Sequence, residues 1–226
     1  MQITEIYRSI QGESSFAGMP CTFVRLTACN LRCTWCDSEY TFTGGKKMSA
    51  EEVEKEVLRL ASAGLVEFTG GEPMLQEREL LPLMERLLGQ GYTLLLETSG
   101  ERPLERVPSA VHKIVDVKCP GSGEGGTFHI ANLQTLTPRD EVKFVLAGRE
   151  DYEFARDFTR EHGLDTKTGG VIFSPVFAKT PSTERDTSNC DLDPRLLTEW
   201  ILQDKLNVRL GLQIHKFIWP PATKGV

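Results

Sequence analysis

Three cysteines fall within one short segment, Cys29-Asn-Leu-Arg-Cys33-Thr-Trp-Cys36. Thiolate ligation is what iron–sulfur clusters require, and three thiolates at this spacing can wrap one side of a cubane. Three protein ligands for four irons leave one iron open, able to bind and reduce a substrate or cofactor. The same thiols could hold zinc instead, but zinc needs a fourth ligand, and the second CxxC pair usual in zinc ribbons is absent. Cys21, Cys119 and Cys190 stand alone, and each reads as a small buried residue. Further along lies Gly70-Gly71-Glu72-Pro73. Its glycines let a backbone approach a ligand closely, and the Glu72 carboxylate is an acceptor suited to an ammonium group. Arg25, shortly before the cysteines, offers a planar fork for a carboxylate.

These residues need a scaffold, and the rest of the chain supplies one in which strand-like apolar runs alternate with helix-like segments. Strands are expected at 21–26, 65–69, 92–97, 111–118, Glu141–Leu146, 171–173 and 209–214. Helices are expected at 48–63, 77–88, 151–162 and Pro194–Gln203. Ser49, with Glu52 three residues on, makes a capping box for the first helix. Gly89 and Gly91 stop the second and Gly163 the third. Asp193 caps the last, with Pro194 at its first position. The β-then-α alternation predicts an α/β fold, a parallel sheet with covering helices. Ligands in such folds sit at the carboxyl ends of the strands, where the Gly, Ser, Thr and Pro residues of this chain fall. The polar stretch 180–191 reads as a mobile loop.

A chain of 226 residues suits one core, so a single domain over 1–226 is expected. With 39% hydrophobic and 26% charged residues it has ordinary globular composition. A net charge of -6 gives no general attraction for nucleic acid or anionic lipid, which points to a small-molecule substrate. No apolar run approaches the roughly 20 residues that span a bilayer, and residues 1–9 lack the pattern of a secretion signal. A cytoplasmic location is therefore expected, and in that setting six cysteines argue for metal or redox chemistry over disulfides.

The C-x3-C-x2-C pattern with Trp35 before its last cysteine, followed by Gly70-Gly71-Glu72-Pro73, resembles the radical S-adenosylmethionine superfamily. Within it, five segments resemble the 7-carboxy-7-deazaguanine synthase family. They are Ile10-Gln11-Gly12-Glu13, Arg25, Cys36-Asp37-Ser38, Glu97-Thr98-Ser99-Gly100 and Leu212-Gln213-Ile214-His215-Lys216, and the matches run from residue 3 to 216. The resemblance implies a 4Fe-4S cluster on Cys29, Cys33 and Cys36, with S-adenosyl-L-methionine chelated at the open iron and cleaved to a 5′-deoxyadenosyl radical. It implies ring contraction of 6-carboxy-5,6,7,8-tetrahydropterin to 7-carboxy-7-deazaguanine, with loss of ammonia, in queuosine and deazapurine biosynthesis.

The same resemblance implies cofactor contacts from Trp35, against the adenine, and from Gly70, Gly71, Glu72 and Gly100. The segments Asp116-Val117-Lys118 and Ser174-Pro175-Val176-Phe177 join them, although many relatives have Ser-Pro-Lys at the first. Substrate contacts are implied for Ile10, Gln11, Gly12, Glu13, Arg25, Thr98, Gln213 and His215. Gln213 and His215 are expected two apart on the last strand and on one side of it. Ser38, where many relatives carry Thr, is implied to hold Mg2+ through its hydroxyl, a hard oxygen ligand. The implied architecture is a partial parallel β/α barrel, a reduced (β6/α3) form with helices shortened or missing. A homodimer and a reducing partner such as flavodoxin or ferredoxin complete the expectation. Two other readings share part of the pattern. A glycyl-radical enzyme activase has the same cysteine spacing, but Gln11-Gly12-Glu13 argues against it. The other is a non-catalytic zinc- or iron–sulfur-binding module.

Overall fold

A computed structural model gives the fold and describes residues 1–60, 64–178, 186–220 and 223–225. Its strands are β1 (Gln2–Ile10), β2 (Pro20–Leu26), β3 (Lys46–Lys47), β4 (Leu65–Gly70), β5 (Thr93–Thr98), β6 (His112–Asp116), β7 (Glu141–Leu146), β8 (Gly170–Pro175) and β9 (Arg209–Leu210). Its helices are α1 (Ala50–Leu60), α2 (Glu77–Gly89), α3 (Arg149–His162), α4 (Leu164–Lys167), α5 (Pro194–Gln203) and α6 (His215–Ile218). Among the described residues these strands form one sheet in the order β3-β1-β2-β4-β5-β6-β7-β8-β9. From β2 to β9 the neighbours are parallel, while β1 and β3 extend the edge antiparallel. The sheet is open, with β3 and β9 as its edges, yet it curves enough for residues of β2, β4, β5, β6 and β7 to line one cavity. The crossovers from β5 to β6 and from β6 to β7 carry no α-helix; the second holds two 3-10 helices, Pro120–Ser122 and Ile130–Thr135. This is the partial barrel with missing helices that the family resemblance implies.

The two faces of the sheet follow from the two-residue period of a strand. Val24, Val66, Phe68, Leu94, Leu96, Val142, Phe144 and Phe173 point outward into the main core. There they meet Val53, Val57, Leu80, Met84 and Tyr152 from the helices. Each such side chain contributes about 1.5–3 kcal/mol on full burial. The inner face begins with a smaller apolar cluster of Cys21, Phe23, Leu65, Leu95 and Ile114, on which Tyr7 and Phe16 pack. Phe16 belongs to the segment joining β1 to β2, and its ring meets His112 edge-on at 5.1 Å. Ser15 N donates to Glu141 Oε1 at 3.0 Å. The segment therefore folds into the amino-terminal mouth of the half-barrel and stoppers it.

The capping box forms as expected: Ser49 N donates to Glu52 Oε2 at 2.7 Å, and Glu52 N donates to Ser49 Oγ at 3.2 Å. Helix α1 begins at Ala50, because Met48 N is taken by the Met1 carbonyl; residues 61–63 of the expected helix lie outside the described residues. Asp193 caps α5 through Arg195 N at 2.8 Å. Two expectations need correction. The last strand stops at Leu210 and not at residue 214. A Cβ on Gly211 would lie 2.4 Å from Ile172 Cγ2, so the chain presses on β8 there and turns inward. In the stretch 180–191, residues 180–185 lie outside the described residues, while Asp186 caps a short turn over Thr187–Asn189 and Cys190 bridges to Phe177. Cys190 is thereby half-buried, unlike the buried Cys21 and Cys119. No helix among the described residues is long and apolar enough to cross a membrane.

Candidate active site

Above the apolar layer the inner face turns polar. Arg25 from β2, Glu67 and Thr69 from β4, Glu97 from β5, Asp116 from β6 and Lys143 from β7 line a cavity of about 270 Å³. The same cavity is bounded by Cys29, Cys33, Cys36, Trp35 and Ser38 at the carboxyl ends of the strands. Ile10, Gln11, Gly12, Glu13, Gly70, Gly71, Thr98, Lys118, Phe177, Gln213 and His215 complete the predicted residues it gathers.

The cysteine loop leaves β2 through Ala28, whose φ of +80° is left-handed and unfavourable for a side-chain-bearing residue. Backbone bonds on either side hold that conformation: Ala28 N donates to Thr41 O at 2.7 Å, and Ala28 O accepts from Glu72 N at 2.8 Å. The loop is fastened to the turn after β6. Thr34 N donates to Ser122 O at 2.9 Å, Thr34 Oγ1 to Gly121 O at 3.0 Å and Arg32 N to Glu124 Oε1 at 2.5 Å. A Cβ on Gly71 would lie 2.2 Å from Ala28 O and 2.8 Å from Cys29 Cβ, so only glycine fits beneath the loop. The three thiols are free and half-exposed. Burial pushes the Cys33 thiol up to about 11 and raises that of Cys29, so cluster loading must displace protons. Three thiols on one anchored loop, all lining the cavity, are the donor set that a 4Fe-4S cluster with one open iron takes.

Several predicted residues are not on the cavity wall. Glu72 is wholly buried, and its carboxylate accepts from Met74 N, Thr98 Oγ1, Ser99 N and Ser99 Oγ at 2.7–3.0 Å. Those four bonds satisfy it inside the protein, so it braces the turn under the cluster loop and does not present an acceptor to a ligand. Gly100 packs against Val115 and Phe128. Val117 faces the helix-side core. Ser174 Oγ donates to Gly211 O at 2.8 Å, and Pro175 and Val176 lie buried behind the wall, with Val176 N bonded to Leu146 O.

At the other end of the cavity the two ends of the chain meet. Gln11 Oε1 accepts from Glu13 N and Ser14 N at 2.9 and 3.0 Å, shaping the turn, while its Nε2 donates to Glu67 Oε2 at 3.2 Å. Gly12 O accepts from Ile214 N at 3.0 Å. The His215 ring covers Gly12 so closely that an added Cβ would lie 2.2 Å from Nδ1. Gln213 Nε2 donates to Glu13 Oε1 at 2.7 Å, and Lys216 Nζ to Asp37 Oδ2 at 2.7 Å. Gln213 and His215 thus reach one cavity as expected, but from a turn and the start of α6, not from a strand.

The electrostatics of the cavity are sharply divided. Burial opposes charge on Arg25, but Tyr7, Tyr40 and Glu5 outweigh it and hold the guanidinium firmly charged. Arg25 Nε donates to Glu5 Oε1 at 2.8 Å and Nη2 to Tyr7 Oη at 2.8 Å, bonds that leave Nη1 unused. Burial pushes the Tyr7 hydroxyl up to about 12. It also depresses His215 below its usual range, so that imidazole is neutral at pH 7. The sequence assigns no site role to Lys143 or Glu67 and marks Glu97 only as part of the Glu97-Thr98-Ser99-Gly100 segment. The available signal was charge at alternate positions in otherwise apolar strands, Glu67 in Leu65–Gly70 and Lys143 in Glu141–Leu146, because an inward-facing charge in a central strand needs a polar lumen.

Comparison with known proteins agrees with this geometry. The model of the Radical SAM superfamily matches residues 24–173. A 7-carboxy-7-deazaguanine synthase of Koribacter versatilis is 68% identical over 100% of both chains. Another, of Chlorobaculum tepidum, is 42% identical over 100% of this chain and 97% of its own. The crystal structure of QueE from Escherichia coli superimposes with a TM-score of 0.72 at 26% identity, covering 94% of this chain and 93% of that one. The cysteine loop, the lumen and these full-length similarities agree: the chain belongs to the 7-carboxy-7-deazaguanine synthase family of the radical SAM superfamily.

Proposed function

We propose that this protein contracts 6-carboxy-5,6,7,8-tetrahydropterin to 7-carboxy-7-deazaguanine with release of ammonia, a step in queuosine and deazapurine biosynthesis. The observation that carries the reading is the single cavity with Cys29, Cys33 and Cys36 at its rim and Ile10–Glu13, Arg25, Thr98, Gln213 and His215 around its interior. When bound, a 4Fe-4S cluster and S-adenosyl-L-methionine supply one-electron chemistry that removes hydrogen from C6 of the substrate. The chain's own residues place that carbon and shield it. Arg25 takes the substrate carboxylate on its free edge. Glu13, ionised by its neighbours, accepts from ring N–H groups, while the backbone of Ile10 and Gly12 frames the heterocycle. The Phe16 segment closes the mouth behind it against water. Trp35, Gly70, Gly71, Asp116, Lys118 and Phe177 face the cofactor end, and Glu72, Gly100, Val117, Ser174, Pro175 and Val176 support that wall from behind.

The same reading includes a flavodoxin- or ferredoxin-type reductant and a homodimer in the cytoplasm. Asn30, Arg32 and Thr34 expose the cluster loop to such a donor. Anaerobic reconstitution followed by mass analysis of the product from the tetrahydropterin tests the function; absence of 7-carboxy-7-deazaguanine from a protein with a full cluster would refute it.

Mg2+ belongs to the proposal through Ser38, whose hydroxyl lies at the rim 3.7 Å from Cys36 Sγ. One hydroxyl, substrate oxygens and water form a set that magnesium accepts. Magnesium is expected to stimulate turnover, Ser38→Ala to weaken that response and Ser38→Thr to preserve it. Wild-type rates that do not change when divalent cations are removed would exclude the ion.

A further inference from the structure

Lys143 is a lysine on a central strand with 4% of its side chain exposed. Its Nζ meets Glu13 Oε2 at 2.6 Å, a carboxylate oxygen of Glu97, and Asp116 Oδ2 at 3.6 Å. These partners come from three separate parts of the fold: the segment after β1, strand β5 and strand β6. A lysine that served only to neutralise the lumen would need one partner. This one ties the segment that stoppers the barrel to the strands that form its wall, and both Glu13 and Glu97 line the cavity.

Glu67 supplies an internal comparison. It shares the lumen, with Gln11 as its hydrogen-bond partner, and burial and then Glu97 push its carboxyl well above the usual range. Burial pushes Glu13 the same way, but the Lys143 ammonium overcomes it and holds Glu13 well below that range. The groups facing Glu13 are Lys143, Gln213, His215, Asp37, Glu67 and Glu97. Lys143 supplies the largest attraction that keeps it ionised, and it is the cation in contact with it.

We infer that Lys143 is a positioning residue of the substrate site, fixing Glu13 and Glu97 side by side so that both present acceptor oxygens to the N–H edge of the heterocycle. The inference rests on the proposed substrate, whose reduced ring and amino-pyrimidinone edge are rich in N–H donors. Ionised carboxylates match such an edge, whereas a protonated one presents a competing donor.

The test compares wild type with Lys143→Met, Lys143→Arg, Glu97→Gln and the double variant Lys143→Met/Glu97→Gln. Iron and sulfide content, 5′-deoxyadenosine formed without substrate, and KM for the tetrahydropterin across pH are measured for each. Lys143→Met is expected to raise KM about tenfold or more and to move the acid limb of kcat/KM up by about 1–3 pH units, since an opposite charge shifts a carboxyl by that much. Cluster content and uncoupled cleavage should persist. Lys143→Arg should leave the acid limb where it is in wild type.

The double variant leaves the net charge of the group unchanged, so it decides the matter if Lys143→Met does not fold. Its acid limb should lie above that of Glu97→Gln alone. Equal limbs and equal KM in those two variants would overturn the inference. A wild type that holds a full cluster and does not convert the tetrahydropterin would refute the proposed function instead.

Discussion

Cys33→Ala protein reconstituted anaerobically is expected to hold no 4Fe-4S cluster, and the same is expected of Cys29→Ala and Cys36→Ala. On the proposed assignment each thiol is one of three protein ligands, and the other cysteines lie elsewhere in the fold. Cys21 lies in the apolar layer deep in the half-barrel, and Cys119 is buried at 1% exposure in the main core. Cys190 is bridged to Phe177 in the segment before α5. The loop itself should survive, because backbone bonds to Thr41, Glu72 and Ser122 hold it and none uses a cysteine side chain. Near-native circular dichroism with iron and sulfide close to zero is therefore the expected result. Cys21→Ala and Cys119→Ala should load normally. A full cluster on Cys33→Ala would sink the ligand assignment.

Arg25→Ala should cost substrate use far more than cofactor cleavage. Its side chain is 18% exposed at the cavity wall, and the guanidinium is already fixed by Glu5 and Tyr7. The fork is thus oriented before any ligand arrives, and little ordering cost remains for a carboxylate to meet. Removing a desolvated partner of this kind loses on the order of 2–5 kcal/mol, or about 30-fold and upward in kcat/KM. In the proposed assignment the cofactor is held by the cluster and the Gly70 and Gly71 side of the cavity, so slow formation of 5′-deoxyadenosine should continue. Arg25→Lys should recover only part of the loss, because an ammonium cannot hold Glu5, Tyr7 and a ligand in one plane. Product and 5′-deoxyadenosine yields measured side by side decide the question. Equal losses in both, with the cluster intact, would move Arg25 from the substrate to the cofactor or the fold.

The parts of this site legible in the sequence are those set by local spacing. The cysteine loop, the glycine pair after β4, the capping box on α1 and the Asp193-Pro194 start of α5 each depend on residues a few positions apart. Strand β1 escaped notice because its pairing register shifts between Ile3 and Glu5, and a bulge there breaks the two-residue alternation that marks a strand. The geometry of Gln213 and His215 was misjudged for a different reason. Their residue types suit the extension of β9, but the close contact of Gly211 with β8 and the bond from Ile214 to Gly12 turn the chain inward. Glu72 shows the limit of reading by motif: its position gives a carboxylate near the cluster, and only tertiary packing shows that Thr98 and Ser99 occupy both oxygens. Lys143 is marked in the sequence as a charge in an apolar strand, but its partners, up to 130 residues away, are clear only from the fold.

The meeting of the two ends of the chain also bears on the order in which the protein is made. Gln213 and Glu13 are 200 residues apart, and Lys216 and Asp37 are 179 apart. Loop closure over such spans adds only about 0.6 kcal/mol per doubling of length, so the long separation weighs little on final stability. It weighs on timing, because distant contacts are slow to form and synthesis delivers the amino-terminal part first. Strands β1 to β6 and the cysteine loop leave the ribosome while residues 213–216 are still to be translated. During its own birth the chain can therefore gain the loop proposed to grip a cluster before it gains the segment proposed to choose what that cluster acts upon.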